Sequence, residues 1–230
     1  MKLMDFKALT FDCYGTLIDW ETGILGGLRP MFISRGLQVD DGKILETYAV
    51  AESQAETGEF KPYREVLQQV VRDVGKAFGF EPTREEQESL PESVKQWQPF
   101  PDTVAALERL HRKYKLAIIS NIDDDLFRET EKHLKTKFDF VTTALEVGSY
   151  KPSQNNFLSA LRKMQIEKKR VLHVAQSLHH DIAAARALGI SCVWVNRRKG
   201  KHGGGATIPS AAQPDLEVAD LKSLADLCGC

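Results

Sequence analysis

A short apolar, partly β-branched run, Lys7–Asp12 (KALTFD), stops at a Gly-Thr turn, as a strand buried in a parallel sheet does. From Thr22 to about Trp97 no second run of this kind appears. Apolar positions there recur at three- and four-residue steps, as at Val66, Leu67, Val70, Val71 and Val74. That period predicts helices over Leu25–Arg35, Lys43–Thr57, Tyr63–Phe78 and Arg84–Trp97. After Pro99 and Pro101 the pattern alternates, beginning with helix Asp102–Lys113, strand Leu116–Ser120, helix Asp124–Leu134, strand Phe138–Thr142 and helix Gln154–Met164. Strand Arg170–Val174, helix His180–Leu188, strand Ser191–Val195 and helix Leu221–Leu227 complete it. Alternation of this sort predicts an α/β fold, a doubly wound parallel sheet with chemistry at the carboxyl ends of its strands. The expected division is a Rossmann-like core of residues 1–20 and 98–230, with a helical cap, residues 21–97, inserted after the first strand.

Composition narrows the function classes. With 42% hydrophobic and 27% charged residues the chain has the make-up of an ordinary globular protein, which excludes wholesale disorder. Lysine plus arginine (31) nearly cancels aspartate plus glutamate (32), so nucleic acid is not an expected partner. The apolar run at Ala8–Phe11 is too short for a signal sequence or a membrane span, and a cytoplasmic protein without membrane contact is expected. Cys13, Cys192, Cys228 and Cys230 show no zinc or disulfide spacing, and the first two read as small core hydrophobes. The polar, glycine-rich stretch Arg197–Gly205 reads as a mobile surface loop.

The residues after each strand are Asp12-Cys13-Tyr14-Gly15-Thr16, then Ser120-Asn121, then Lys151-Pro152, then Gln176 to Asp181. A carboxylate, a hydroxyl-amide pair, a lysine and a second carboxylate would meet on one edge of a doubly wound sheet. In order and spacing these four stretches resemble the motifs of the haloacid dehalogenase superfamily. FDCYGTLIDW, and the later Cys192–Arg197 stretch, are similar to its 2-haloacid dehalogenase branch. The resemblance implies a helical cap after the first motif and hydrolysis of a short 2-haloacid, a haloacetate or 2-halopropionate, with no cofactor and no metal.

The expected mechanism begins with attack by Asp12 on the halogen-bearing carbon, giving an aspartyl ester that water oriented by Asp181 then hydrolyses. Thr16 and Ser120 would orient Asp12 and the substrate carboxylate, and Lys151 would steady both aspartates. Tyr14, Asn121, Gln176, Ser177 and His180 would bind substrate or halide. Phosphatases of the superfamily carry a second aspartate where this chain has Tyr14, and a metal-binding acid where it has Gln176. A halide leaves without a proton whereas an alkoxide needs one, so both differences favour dehalogenation. The alternatives are a Mg²⁺-dependent phosphatase acting on a small phosphate ester and a non-enzymatic relative that keeps the fold for partner binding. Three departures from the branch stand out. Glu46–Glu52 lacks the usual cap arginine, leaving Arg29, Arg35 and Arg64 elsewhere. Phe157 replaces a tyrosine after the motif lysine, and Gln176-Ser177 with His179-His180 replace small polar residues and a tryptophan. A homodimer, common in the branch, stays open.

Overall fold

The computed structural model describes residues 2–230. Six strands form one parallel sheet: β1 Ala8–Phe11, β2 Lys115–Ser120, β3 Phe140–Thr143, β4 Val171–Ala175, β5 Ser191–Val195 and β6 Leu216–Val218, in the order β3-β2-β1-β4-β5-β6. The order reverses between β1 and β4, and in sheets of this kind ligands bind in the crevice beyond the strand ends at that point. β1 is buried at every position because helices cover both faces, which is why its sequence runs apolar rather than alternating. Leu9 and Phe11 belong to one core cluster and Ala8 to another on the opposite face.

Ten helices accompany the sheet among the described residues. Four lie between β1 and β2: α1 Trp20–Ile33, α2 Asp41–Ala55, α3 Tyr63–Ala77 and α4 Arg84–Ser93. They pack on one another, α2 on α3 and α3 on α4, burying the Val66–Val74 stripe. The rest are α5 Thr103–His111, α6 Asp124–Leu134, α7 Ala144–Val147, α8 Gln154–Met164, α9 Ala183–Ala187 and α10 Leu221–Leu227.

Differences from the expected elements have local causes. Helix α1 starts at Trp20 rather than Leu25 because the Asp19 carboxylate accepts from the Thr22 amide and caps it. Thr83 and Glu86 form a reciprocal capping box that fixes the start of α4. The helix expected at His180 instead opens as a π-helical turn, Leu178–Ile182, and becomes α-helical only at Ala183. Elements α7 and β6, four and three residues long, are too short to show a period. Arg197–Gly205 is not merely a surface loop, since the Arg197 side chain is nearly buried, stacks on Phe100 and donates to the Thr16 carbonyl. Cys13, Cys192 and Cys228 are free and buried. Among the described residues no helix is long and apolar enough to cross a membrane.

Candidate active site

The turn after β1 is built to aim one carboxylate. The Asp12 amide donates to the Val174 carbonyl, and Gly15 turns the chain at a φ of 88°. A Cβ at Gly15 would stand 2.8 Å from the Trp20 indole nitrogen and 3.2 Å from the Gln176 side-chain oxygen, so glycine is required twice over. Thr16 then donates to Asp12 Oδ2 (2.6 Å) while accepting from the Gln176 amide (2.8 Å), tying the turn to the end of β4.

Lys151 supplies the cation. Its Nζ donates to Asp12 Oδ1 (2.9 Å), Asp181 Oδ1 (2.6 Å) and the Ile119 carbonyl (3.0 Å), which engages all three of its protons. Asp181 is fully buried, and its Oδ1 is also bonded to His173 Nε2 (2.9 Å). Thr10 lies 2.9 Å from His173 Nδ1, and Phe157 packs edge-on against the imidazole. Burial works against the Asp181 charge, but Lys151 and His173 outweigh it and hold the carboxyl down at about 2. Asp12 takes the opposite direction: burial raises it above the ordinary carboxylate range, with Lys151 opposing and the charge of Asp181 adding to the rise. Asp181 Oδ2 and Ser120 Oγ are buried without a partner.

These groups line a cavity of about 30 Å³ beside Asp12, Tyr14, Ser120, Asn121, Gln176, Ser177 and His180. All ten candidate residues thus come together, eight in its walls beside Asp12 and with Thr16 directly behind it. Their hydrogen bonding departs from expectation for several. Thr130 donates to the Leu126 carbonyl, so the Tyr14 hydroxyl donates to Thr130 (2.7 Å) and its one proton is engaged there. Asn121 donates to Glu56 and the Lys151 carbonyl and accepts from the Lys151 amide, leaving nothing for a halide. Gln176 accepts from Thr207, and Ser177 accepts from the His180 amide as the cap of the π-helical turn. Burial lowers His180 to about 4, so its ring is neutral at physiological pH.

Three contributors went unread in the sequence. His173 interrupts an otherwise apolar strand, which was its one available signal. Glu52 in α2 and Glu56 at its C-cap also line the cavity. They continue the four-residue step of Ile44 and Tyr48, so the buried face of α2 turns acidic toward its end. The candidate arginines lie elsewhere, with Arg29 paired to Asp41, Arg35 to Glu86, and Arg64 to Glu92 and Asp125.

A Mg²⁺ ion needs several hard, anionic oxygens in near-octahedral array. Here a lysine ammonium joins the two sheet-side carboxylates, and the position after β4 offers only the amide of Gln176. Among the described residues no group of three histidine, cysteine, aspartate or glutamate side chains is placed to share an ion. The donor set does not fit Mg²⁺.

Comparison with known proteins adds the following. The family described as haloacid dehalogenase-like hydrolase matches residues 6–189. The (S)-2-haloacid dehalogenase H-109 of Pseudomonas putida is 24% identical over 227 residues, 97% of this chain and 98% of that protein. A glyceraldehyde 3-phosphate phosphatase of Methanothermobacter thermautotrophicus is 36% identical over 104 residues, 43% of this chain and 45% of that protein. Among solved structures, the L-2-haloacid dehalogenase from Xanthobacter autotrophicus superposes with a TM-score of 0.80 at 20% identity, covering 96% of this chain and 98% of that one.

Proposed function

The chain belongs to the haloacid dehalogenase-like hydrolase family, and from that premise we propose that it cleaves the carbon–halogen bond of short 2-haloacids without a metal. The observation that carries this reading is the state of Tyr14. Its buried hydroxyl is committed to Thr130, so the position two residues after Asp12 supplies no proton to a leaving alkoxide, which halide departure does not need.

In the proposed reaction an Asp12 oxygen forms a bond to C2 of the substrate as the carbon–halogen bond breaks, and halide leaves with the electron pair. Thr16 and Lys151 hold Asp12 in place, and Ser120 Oγ, the unpartnered donor, takes the substrate's carbonyl end. Water bonded to Asp181 Oδ2 then attacks the Asp12 carbonyl carbon. The ester opens to the hydroxyacid and the Asp12 carboxylate, with one proton released. Asp181, held near 2, orients this water by accepting a hydrogen bond rather than by keeping its proton. Helices α1–α4 are read as a cap that closes the cavity over this chemistry.

Halide release from chloroacetate, fluoroacetate and both 2-chloropropionate enantiomers, measured with EDTA present, tests the proposal. The parent protein is expected to release halide from at least one, and Asp12→Asn from none. Absence of halide together with cleavage of p-nitrophenyl phosphate on addition of Mg²⁺ would replace this reading with a phosphatase.

A further inference from the structure

The side of the cavity facing Asp12 is acidic. Glu52 Oε1 accepts from the hydroxyls of Tyr48 (2.7 Å) and Tyr63, and Glu56 Oε1 from Asn121 (3.1 Å). The Glu52 side chain is 4% exposed, and burying carboxylates this way costs stability. At the C-cap of α2, Glu56 meets the negative end of the helix dipole, so helix stability does not account for it.

Among the described residues no lysine or arginine is ion-paired to these two glutamates. Lys151, the one lysine or arginine among them that lines the cavity, acts on Glu56 only through space, its protons being engaged by Asp12, Asp181 and Ile119. His180 is neutral and its Nε2 lies 3.8 Å from Glu56 Oε2, beyond hydrogen-bonding reach. A second, independent feature shows what the cavity lacks. Ser120 Oγ and Asp181 Oδ2 are buried and unpartnered in the same walls, one able to donate and one able only to accept. A substrate carboxylate brings acceptors alone, so it satisfies Ser120 but meets Glu52 and Glu56 either with like charge or only after they take up protons. A primary amide brings a carbonyl for Ser120 and N–H donors for the glutamates.

We propose that Glu52 and Glu56 make the cavity select an uncharged 2-haloamide over the corresponding 2-haloacid. The inference rests on the dehalogenase reading and names the end of the substrate that does not react. It also sets a pH dependence. Burial pushes Glu52 up to about 7, against the hydrogen bonds of Tyr48 and Tyr63 and with the charge of Asp12 adding to the rise. Burial, then the charge of Glu52, raise Glu56 well above the ordinary carboxylate range, with Asn121 and Lys151 opposing and Asp181 adding. Glu52 is therefore least hostile to an acid below pH 7. The need for an ionised Asp12 as nucleophile cancels from the ratio of the two substrates, and the effect of its charge on the acid is shared by the parent and the glutamate variants.

The test compares halide release from 2-chloroacetamide and chloroacetate between pH 6 and 9, with the Asp12→Asn background subtracted. The parent is expected to favour the amide in kcat/KM by about tenfold or more at pH 8, a like charge in a partly buried site being worth at least that factor. KM for the acid should climb through pH 7 while KM for the amide stays level. Glu52→Gln keeps an acceptor for both tyrosines and should flatten that climb, lowering KM for the acid about tenfold at pH 8 with kcat little changed. Glu56→Gln should act in the same direction and serves if the first variant does not fold. Equal use of acid and amide at pH 8, or an acid-to-amide ratio unmoved in the variants, overturns the inference and leaves the dehalogenase reading intact. No halide from either compound removes the reading and the inference with it.

Discussion

At the scale of single residues the site depends on one ammonium shared by two carboxylates. Removing it in Lys151→Gln leaves Asp12 and Asp181 buried side by side without their shared cation. Breaking a buried pair in this way costs about 3–5 kcal/mol. Urea unfolding should show a loss of that size, and halide release should vanish. In the proposed mechanism Asp12 must be ionised to attack, so its raised pKa gives the pH dependence its sign: kcat rises as pH rises through that value. The Thr16 hydrogen bond favours the ionised form, so Thr16→Val should shift the acid limb of the pH–rate profile to higher pH. A limb that stays in place would show that Thr16 does not tune Asp12. Asp12, Lys151 and Asp181 were legible in the sequence because each follows a strand and their order is distinctive. The partners that set their charge were not. His173 gives no sign of its 2.9 Å contact with Asp181 beyond interrupting an apolar strand, and Glu52 and Glu56 sit on the step of Ile44 and Tyr48 with nothing in the sequence to say that this face meets the site.

At the scale of elements, legibility followed length. Helices α3, α6 and α8 repeat an apolar step often enough to be placed within a residue or so, and β1 stands out as a short apolar run before a turn. The π-helical turn Leu178–Ile182 could not be read, because its wide spacing answers to tertiary demands: it brings Asp181 beneath Lys151 while Ser177 caps the His180 amide. The β1 turn is similarly constrained by Gly15, where a methyl would meet Trp20 and Gln176 at a backbone angle that side chains rarely adopt. Gly15→Ala is expected to cost about 1–3 kcal/mol through strain and overpacking. Because Trp20 and Gln176 both line the cavity, kcat/KM should fall more than the loss of stability explains. Comparison of Tm with kinetics at a temperature where the variant is fully folded separates the two effects.

At the scale of the whole molecule the question is how a substrate reaches a cavity of about 30 Å³. An adjoining open cavity of about 450 Å³ shares Glu56, Lys151 and His180 with it, so the path runs between the end of α2 and the segment after β4. Helices α1–α4 are held to the sheet side by a few polar ties. Asp123, just beyond β2, accepts from the Tyr63 amide (2.7 Å) and the Arg64 amide (3.0 Å), capping α3 from across the gap. Arg64 pairs with Asp125 (2.8 Å), and the Tyr150 hydroxyl donates to the Lys61 carbonyl (2.7 Å). Asp123 is buried, and its loss strands two amides of the first turn of α3. Asp123→Ala should therefore destabilise the protein by about 1–2 kcal/mol, which for a chain of this size lowers Tm by roughly 2–8 °C. Amide exchange at Tyr63 and Arg64 should quicken, while the acid limb of the pH–rate profile stays put, because Asp123 is not among the groups that set the Asp12 charge. If the α3 amides stayed as protected as in the parent, this tie would not be what holds the helical unit over the site.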